Sequence, residues 1–168
     1  MARSVKSAYT QPAATAAGAF SFAAPDLTKY PPRSPRARLG GYALLPRLLD
    51  KGRATLAGKN GEYQYDCPLD HRILDFLGIG AAALQAELAI GKGDGEILEW
   101  ITANQKHPRT PWEIAQWSAW RDQAVPTDVE TREYFNGMHK QIGEKREDIA
   151  TWADVLDLDD YVSFGGKA

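Results

Sequence analysis

Apolar residues recur every three or four positions along most of the chain from residue 42 onward, which is the spacing of an amphipathic α-helix. The stretch LLPRLLDKGRATLAG predicts the first helix. Pro46 suits its first turn, and Gly58 suits the left-handed residue that often follows a helix end. The apolar face of this helix is formed by Leu45, Leu48, Leu49 and Leu56.

Three further helices are predicted before residue 106. The stretch CPLDHRILDFLG predicts a helix that starts at Pro68 and stops at Gly78. The alanine-rich AAALQAELAIG predicts the next helix, which is ended by Gly91. GDGEILEWITANQ then predicts a fourth helix, with Asp94 as its N-cap.

Capping residues mark the later helices. TPWE at 110–113 is a capping box, in which the Thr110 hydroxyl accepts the backbone N–H of Glu113 and the Glu113 carboxylate reaches back. TDVE at 127–130 predicts the same arrangement at the start of the following helix. REDIATWADVLDL predicts the last helix from its apolar stripe.

Strand patterns are scarce by comparison. The Asn60-Gly61 pair favours a tight turn, so we expect at most one small β-hairpin near residues 56–66. About seven short helices without a sheet pattern predict an all-α fold, arranged as an irregular or orthogonal bundle.

The chain before residue 42 has a different character. Residues 1–25 have no periodic apolar pattern and are expected to form a disordered tail, with a cleaved signal segment as the alternative. Residues 26–41 contain three prolines, which favour an extended path. We therefore expect one helical domain over residues 26–168, with a Pro-rich N-terminal arm at 26–41.

The composition is that of an ordinary globular protein, with 168 residues, 43% hydrophobic and 25% charged, and a formal net charge of −2. So small a net charge gives no general attraction to nucleic acid or to an anionic membrane. No apolar run approaches the roughly 20 residues that a spanning helix needs. Cys67 is the only cysteine, which fits a reducing compartment and favours a cytoplasmic location.

Charge is nevertheless unevenly distributed along the chain. Residues 29–59 carry eight basic side chains and one acid, whereas residues 144–160 carry seven acids and two basic side chains. We expect these segments to neutralise one another, within the chain or across a homodimer. A site for a small anion on the basic segment is the alternative, and nucleic-acid binding is not expected.

Candidate chemistry concentrates in GEYQYDCPLDHRIL at 61–74. Cys67 and His71 are four residues apart, with Asp70 placed to orient the imidazole, which is the set of groups that a thiol nucleophile requires. A helix N-terminus at Pro68 would also stabilise a thiolate. The alternative is structural: Asp66 caps the helix and Cys67 is a small buried side chain.

Five tryptophans suggest an aromatic wall beside a pocket, as an alternative to a purely structural core. A basic pair one helical turn apart would face such a pocket. The predicted ligand-binding residues are Arg47, Lys51, Tyr63, Tyr65, Trp112 and Trp117. GKGDGE at 91–96 is a weaker candidate for a phosphate cradle, because it lacks the P-loop spacing. No metal site and no cofactor are predicted, since the three histidines lie in no ligand motif.

Several motifs occur in an order that resembles a known bacterial family. PPRSPRARLGGYALLPRLLDKGRATLAG, EYQYDCPLDHRILDFLGI and EDIATWADVLDLDDYVSFGGKA contain P-R-S-P, L-P-R-L-L-D-K, F-L-G-I and an acidic tryptophan motif. They resemble the family called domain of unknown function 5069, from about residue 26 to the end. The resemblance supports the domain boundary and implies no activity.

Two functions follow from these patterns. The first is a helical protein that binds a small molecule, with an anionic ligand as the expected class and with hydrolysis or group transfer at residues 66–71 if it is an enzyme. The second is a non-enzymatic interaction module, a homodimer held by the basic arm and the acidic C-terminal end.

Overall fold

The computed structural model describes residues 24–167. Within them the chain forms seven helices and no strand, so the all-α fold class is confirmed. The helices are α1 Leu45–Leu56, α2 Pro68–Leu77, α3 Ala81–Ala89, α4 Asp94–Asn104, α5 Pro111–Asp122, α6 Val129–Gly143 and α7 Trp152–Ser163.

Helix α1 lies at the centre of the core. Leu45, Leu48 and Leu49 are fully buried, whereas Leu56, expected on the same face, is 45% exposed because it lies in the last turn. Helix α3 packs closely against α1 at Gly52, where an added Cβ would lie 2.5 Å from Leu88 Cδ1. The absence of a side chain at Gly52 therefore sets the distance between α1 and α3.

Helix α2 has the predicted boundaries. It starts at Pro68 and ends at Leu77, just before Gly78, whose φ of 66° is the left-handed conformation that glycine adopts without strain. Helix α4 starts one residue earlier than expected, because Gly93 is its N-cap and Asp94 is its first residue. The prediction that Asp94 caps α4 was wrong: the Glu96 carboxylate accepts the Gly93 N–H at 2.9 Å.

The capping box of α5 is confirmed. The Thr110 hydroxyl accepts from the Glu113 N–H at 3.3 Å, and the Glu113 carboxylate accepts the Thr110 N–H at 2.8 Å. The box at α6 is displaced by one residue from TDVE, since Asp128 is the N-cap and accepts the Thr131 N–H at 2.8 Å. A carboxylate caps a helix as well as a hydroxyl does. Of the two adjacent candidates, Thr127 and Asp128, the later one is the cap.

The segment between α1 and α2 consists of turns in place of the hairpin allowed near residues 56–66. The one β-type pairing in residues 24–167 is an isolated bridge between Leu39 and Tyr42. No helix among the described residues is long and apolar enough to cross a membrane.

The Pro-rich arm runs along α1. Its start is fixed where the Leu27 N–H donates to the Lys59 carbonyl at 2.8 Å, and its end where the Leu44 N–H donates to the Pro35 carbonyl at 3.0 Å. The tail predicted for residues 1–25 lies almost wholly outside the described part of the chain.

Candidate functional site

The polar face of α1 is as buried as its leucine face. Arg47, Asp50, Lys51 and Arg53 are each at most 5% exposed. Buried charges are unfavourable unless they are paired, and each of these side chains binds a residue from another segment. We call these four residues, together with their partners Arg33, Asp70, Asp94 and Asp160, the α1 charge cluster.

Asp50 is held by the arm. Its carboxylate accepts the backbone N–H of Arg33 at 2.9 Å and the Nε and NH2 groups of the same arginine at 2.9 and 2.8 Å. Arg47 and Lys51 on the same helix are near Asp50 in sequence and could in principle have been its partners. The structure directs it to Arg33 instead, which fixes the arm on α1.

Asp94 bridges two arginines at the start of α4. Its two carboxylate oxygens accept from Arg33 NH1 and Arg53 NH1, each at 2.6 Å. Burial raises the pKa of Asp94, but hydrogen bonds from Arg33 and Arg53 lower it by more, so the pKa lies below its usual value. The N-terminal residue of α4 is therefore an anion held between two cations.

A cavity of about 410 Å³ opens beside this bridge. One wall is the turn between α3 and α4, the segment considered as a phosphate cradle. Lys92 on that turn forms an ion pair with Glu87. The lining residues are Arg33, Arg53, Leu88, Gly91, Lys92, Gly93 and Asp94, and we call this space the arginine cavity.

Arg47 occupies a second part of the charge cluster. It donates from NH1 to Asp160 Oδ2 at 2.6 Å and from NH2 to Oδ1 at 3.2 Å. The Tyr63 hydroxyl donates to the same carboxylate at 2.7 Å. Burial and the Asp160 carboxylate raise the pKa of Tyr63 well above its usual value. This group joins α1 to α7 at a buried position.

Lys51 occupies a third part. Its ammonium group lies 2.6 Å from Asp70 Oδ1, donates to the Gln64 carbonyl at 3.1 Å, and lies 3.3 Å from Cys67 Sγ. The second oxygen of Asp70 accepts the Asp66 N–H at 3.0 Å. The three donors of Lys51 are thus fully used, and two predicted catalytic residues, Asp70 and Cys67, meet at a cation.

His71 lies outside this group. Its imidazole is half exposed, and Nε2 lies 3.0 Å from Asp66 Oδ1. The His71 N–H donates to the Cys67 carbonyl at 3.1 Å, but in the part of the chain that the structure describes no hydrogen bond joins the His71 imidazole to the Cys67 thiol. The reason is local, because Cys67 is the N-cap of α2 with extended backbone (φ −84°, ψ 168°), so the two residues do not share a helical face.

The predicted aromatic residues are dispersed. The Tyr65 hydroxyl donates to the Ala81 carbonyl at 2.8 Å, close to α1. Trp117 stacks on Phe76 with ring centroids 4.6 Å apart, and Trp112 is 70% exposed. The structure therefore does not bring these tryptophans to Arg47 and Lys51.

The basic and acidic segments neutralise one another within the chain. Arg36 of the arm lies 2.6 Å from Asp154 and 3.2 Å from Asp157 of α7, and Arg47 binds Asp160. These contacts match the first of the two expected arrangements, in which the basic and acidic segments pair within one chain. The homodimer through the same charges stays a prediction.

Sequence reasoning missed Arg33, Arg53 and Asp94 as site residues. A usable signal was present in LPRLLDKGR, where the helix face opposite the leucines carries three basic residues and one acid, an imbalance that burial of that face would leave unpaired. Such a helix must have charged partners elsewhere in the chain. Among residues 24–167, no group of three or more His, Cys, Asp or Glu side chains is arranged to hold a metal ion.

Comparison with known proteins places the chain in a family. No curated protein matches the sequence. Residues 29–162 match the family described as Domain of unknown function (DUF5069). The match covers the arm from residue 29 onward and all seven helices except the last residue of α7. The chain belongs to the DUF5069 family.

Proposed function

We propose that the protein binds a small molecule through an anionic group of that molecule, in the arginine cavity. The observation that carries the proposal is the pair Arg33 and Arg53, which converge on one carboxylate at the cavity wall. Guanidinium groups bind carboxylates and phosphates through paired N–H donors, so the same pair suits a ligand of that chemistry.

Asp94 occupies the position that the anionic group of a ligand would take. It is more exposed than the other acids of the α1 charge cluster, with a side chain 25% accessible against 7% or less for Asp50, Asp70 and Asp160. It also follows Gly91 and Gly93, which give the turn conformational freedom. A ligand anion would displace Asp94 from Arg33 and Arg53, while Leu88 offers apolar contact.

Isothermal titration calorimetry with inorganic phosphate and with malonate, at constant ionic strength, tests this proposal. Asp94→Asn removes the internal competitor and should tighten binding by about tenfold, because a charge-assisted hydrogen bond contributes about 1.5–3 kcal/mol. Arg53→Gln should weaken binding by a similar factor. Arg109→Gln, a part-buried arginine that does not line the cavity, is the matched control.

The two cavity variants must move affinity in opposite directions. If neither probe binds to folded wild-type protein or to folded Asp94→Asn, the arginine cavity is not an anion site. Equal affinities for Asp94→Asn and wild type would show that Asp94 does not occupy the ligand position.

A second candidate is thiol chemistry at Cys67, in a hydrolase or a transferase with His71 as acid–base group. The contact between Lys51 Nζ and Cys67 Sγ at 3.3 Å favours it, since a neighbouring cation stabilises a thiolate. The test is the rate of alkylation by iodoacetamide. Cys67 should react faster than free cysteine at neutral pH and slow down in Lys51→Met, whereas an inert thiol in the wild type would exclude this function.

A further inference from the structure

Two arginines differ from all the others in the described residues. The guanidinium groups of Arg72, exposed on α2, and of Arg121, half-buried on α5, make no hydrogen bond and no ion pair, although each can donate five hydrogen bonds. Every other arginine between residues 24 and 167 has a carboxylate or carbonyl partner. Those arginines are Arg33, Arg36, Arg38, Arg47, Arg53, Arg109, Arg132 and Arg146.

The two exceptions are neighbours in space. Phe76 and Trp117 stack face to face, at 4.6 Å and 8° between the ring planes, and so join α2 to α5. Arg72 lies one turn before Phe76, and Arg121 lies one turn after Trp117. Burial lowers the pKa of Arg121, and the like charge of Arg72 lowers it further. Both side chains thus lie within one helical turn of the ring stack, and their guanidinium groups are close enough for their like charges to interact.

Arg121 is also partly desolvated. Its Nε atom is buried and has no hydrogen-bond partner. Its guanidinium carbon lies 5.3 Å from the ring centroid of Trp120, which is a cation–π contact that uses none of the N–H donors. A buried N–H without an acceptor is unfavourable, and a second cation beside it increases the free-energy cost.

Asp122 is the one carboxylate among the charges that act on Arg121, and it does not neutralise them. Asp122 accepts from Arg38 through Oδ2, while its buried Oδ1 has no partner. Arg38, Arg72 and Arg121 carry three positive charges against the single charge of Asp122. The surroundings of Arg121 thus keep an excess of two positive charges.

We propose that Arg72 and Arg121 form a second anion site, separate from the arginine cavity, that binds the dianionic phosphate of a small phosphate monoester. A dianion matches the excess charge, and its oxygens would accept from Arg121 Nε and from the Arg72 fork. The neighbouring exposed Trp120 gives the ester group an apolar surface. Free inorganic phosphate shares this chemistry, so both sources belong in the test.

The test is an NMR titration of the full chain that follows the Nε–H resonances of the arginine side chains. Inorganic phosphate and phenyl phosphate are added separately, with sodium chloride adjusted to hold the ionic strength constant. The Arg121 Nε–H resonance should shift and saturate. Arg72→Gln should weaken the apparent affinity by about tenfold, because one charge-assisted donor pair is lost. Arg146→Gln, an exposed arginine paired with Asp148, is the control and should leave the affinity unchanged.

Each outcome has a defined meaning. Tighter binding of phenyl phosphate supports an ester ligand, and equal binding supports the site with free phosphate as its ligand. An Arg121 resonance that does not move in folded protein, or that moves equally in Arg72→Gln, overturns the proposal. Asp94→Asn should leave this titration unchanged, which separates the second site from the arginine cavity.

Discussion

Helices α1 and α6 are anchored to the rest of the protein in opposite ways. Ten of the twelve residues of α1 are buried, including four charged ones, whereas Phe135 is the one buried residue in the fifteen of α6. Helix α1 is held by partners distant in sequence, and α6 by its capping box and by packing against α7, the next helix along the chain. The comparison teaches that charge can bind a helix to the core when every charge has a partner.

Local contacts account for much of what holds α6. Asp128 and Thr131 form its N-terminal cap, and Phe135 packs against Trp152 of α7 with ring centroids 5.3 Å apart. His139 Nε2 lies 2.8 Å from the Arg146 carbonyl just after the helix. We therefore expect mutations in this half to have smaller effects than mutations in the α1 charge cluster.

The largest expected effect is that of Asp50→Ala. The substitution removes the buried carboxylate that pairs with the Arg33 guanidinium, and with it three hydrogen bonds to the arm. We expect the free energy of unfolding in urea to fall by about 3–5 kcal/mol, as for other broken buried pairs. A loss of unfolding free energy below about 1 kcal/mol would mean that the Asp50–Arg33 pair stabilises the fold no more than a surface ion pair does. The contrast between the anchoring of α1 and that of α6 would then not hold.

Lowering the pH should destabilise the contacts of α1, because Asp94 becomes protonated. Because the pKa of Asp94 is lower in the folded protein than its usual value of 3.8, ionised Asp94 stabilises the fold above that value. This contribution is lost as the pH falls through the lowered pKa. Asp157 has the opposite sign, because burial raises its pKa and protonation therefore favours the folded state.

The measurement is stability against pH for wild type and Asp94→Asn. The variant should be less stable at neutral pH and should lose less stability on acidification below about pH 4. Parallel curves for the two proteins would show that Asp94 does not contribute to acid sensitivity.

A smaller effect is expected at the cap of α5. Thr110→Ala removes the hydroxyl that accepts the Glu113 N–H and should lower the free energy of unfolding by about 0.5–2 kcal/mol. Thr110→Ser keeps the hydroxyl and is the matched control. Urea denaturation followed by circular dichroism gives both values, and equal losses in the two variants would mean that the hydroxyl does not act as a cap.

The smallest effect is expected for Asp148→Ala. Its ion pair with Arg146 is short, at 2.6 Å, and lowers the pKa of Asp148 to about 2, yet both groups are exposed to solvent. Water and salt screen such a pair, so thermal unfolding should not change measurably. A clear shift in melting temperature would show that exposed ion pairs also stabilise the fold. The difference in stabilisation between the buried pairs of α1 and the exposed pairs would then be smaller than expected.

The helices could be predicted because their signals are local. Pro68 and Gly78 delimit α2, and Thr110 with Glu113 caps α5, as the sequence indicates. Errors arose where two adjacent residues could perform the same task. Asp128 replaced Thr127 as the cap of α6, a choice that depends on backbone geometry beyond the motif.

The candidate site was less predictable. Cys67 and His71 are four residues apart in sequence, yet the extended backbone at Cys67 turns its sulfur toward Lys51 and leaves His71 at the surface. Arg33 and Asp94 are 61 residues apart, and no periodic pattern connects them. Pairings of this kind follow from the packing of whole helices.

The sequence by itself determined the all-α class, most helix boundaries and the excess of basic residues near α1, because capping, glycine conformation and apolar periodicity act over a few residues. The tertiary structure decided which charged side chains form ion pairs with one another. Asp50 could have paired within α1, but the arm brings Arg33 to it, and Asp94 then holds Arg33 and Arg53 together. A buried charge takes the partner that the fold places within hydrogen-bonding distance, and that distance is set by the packing of distant segments.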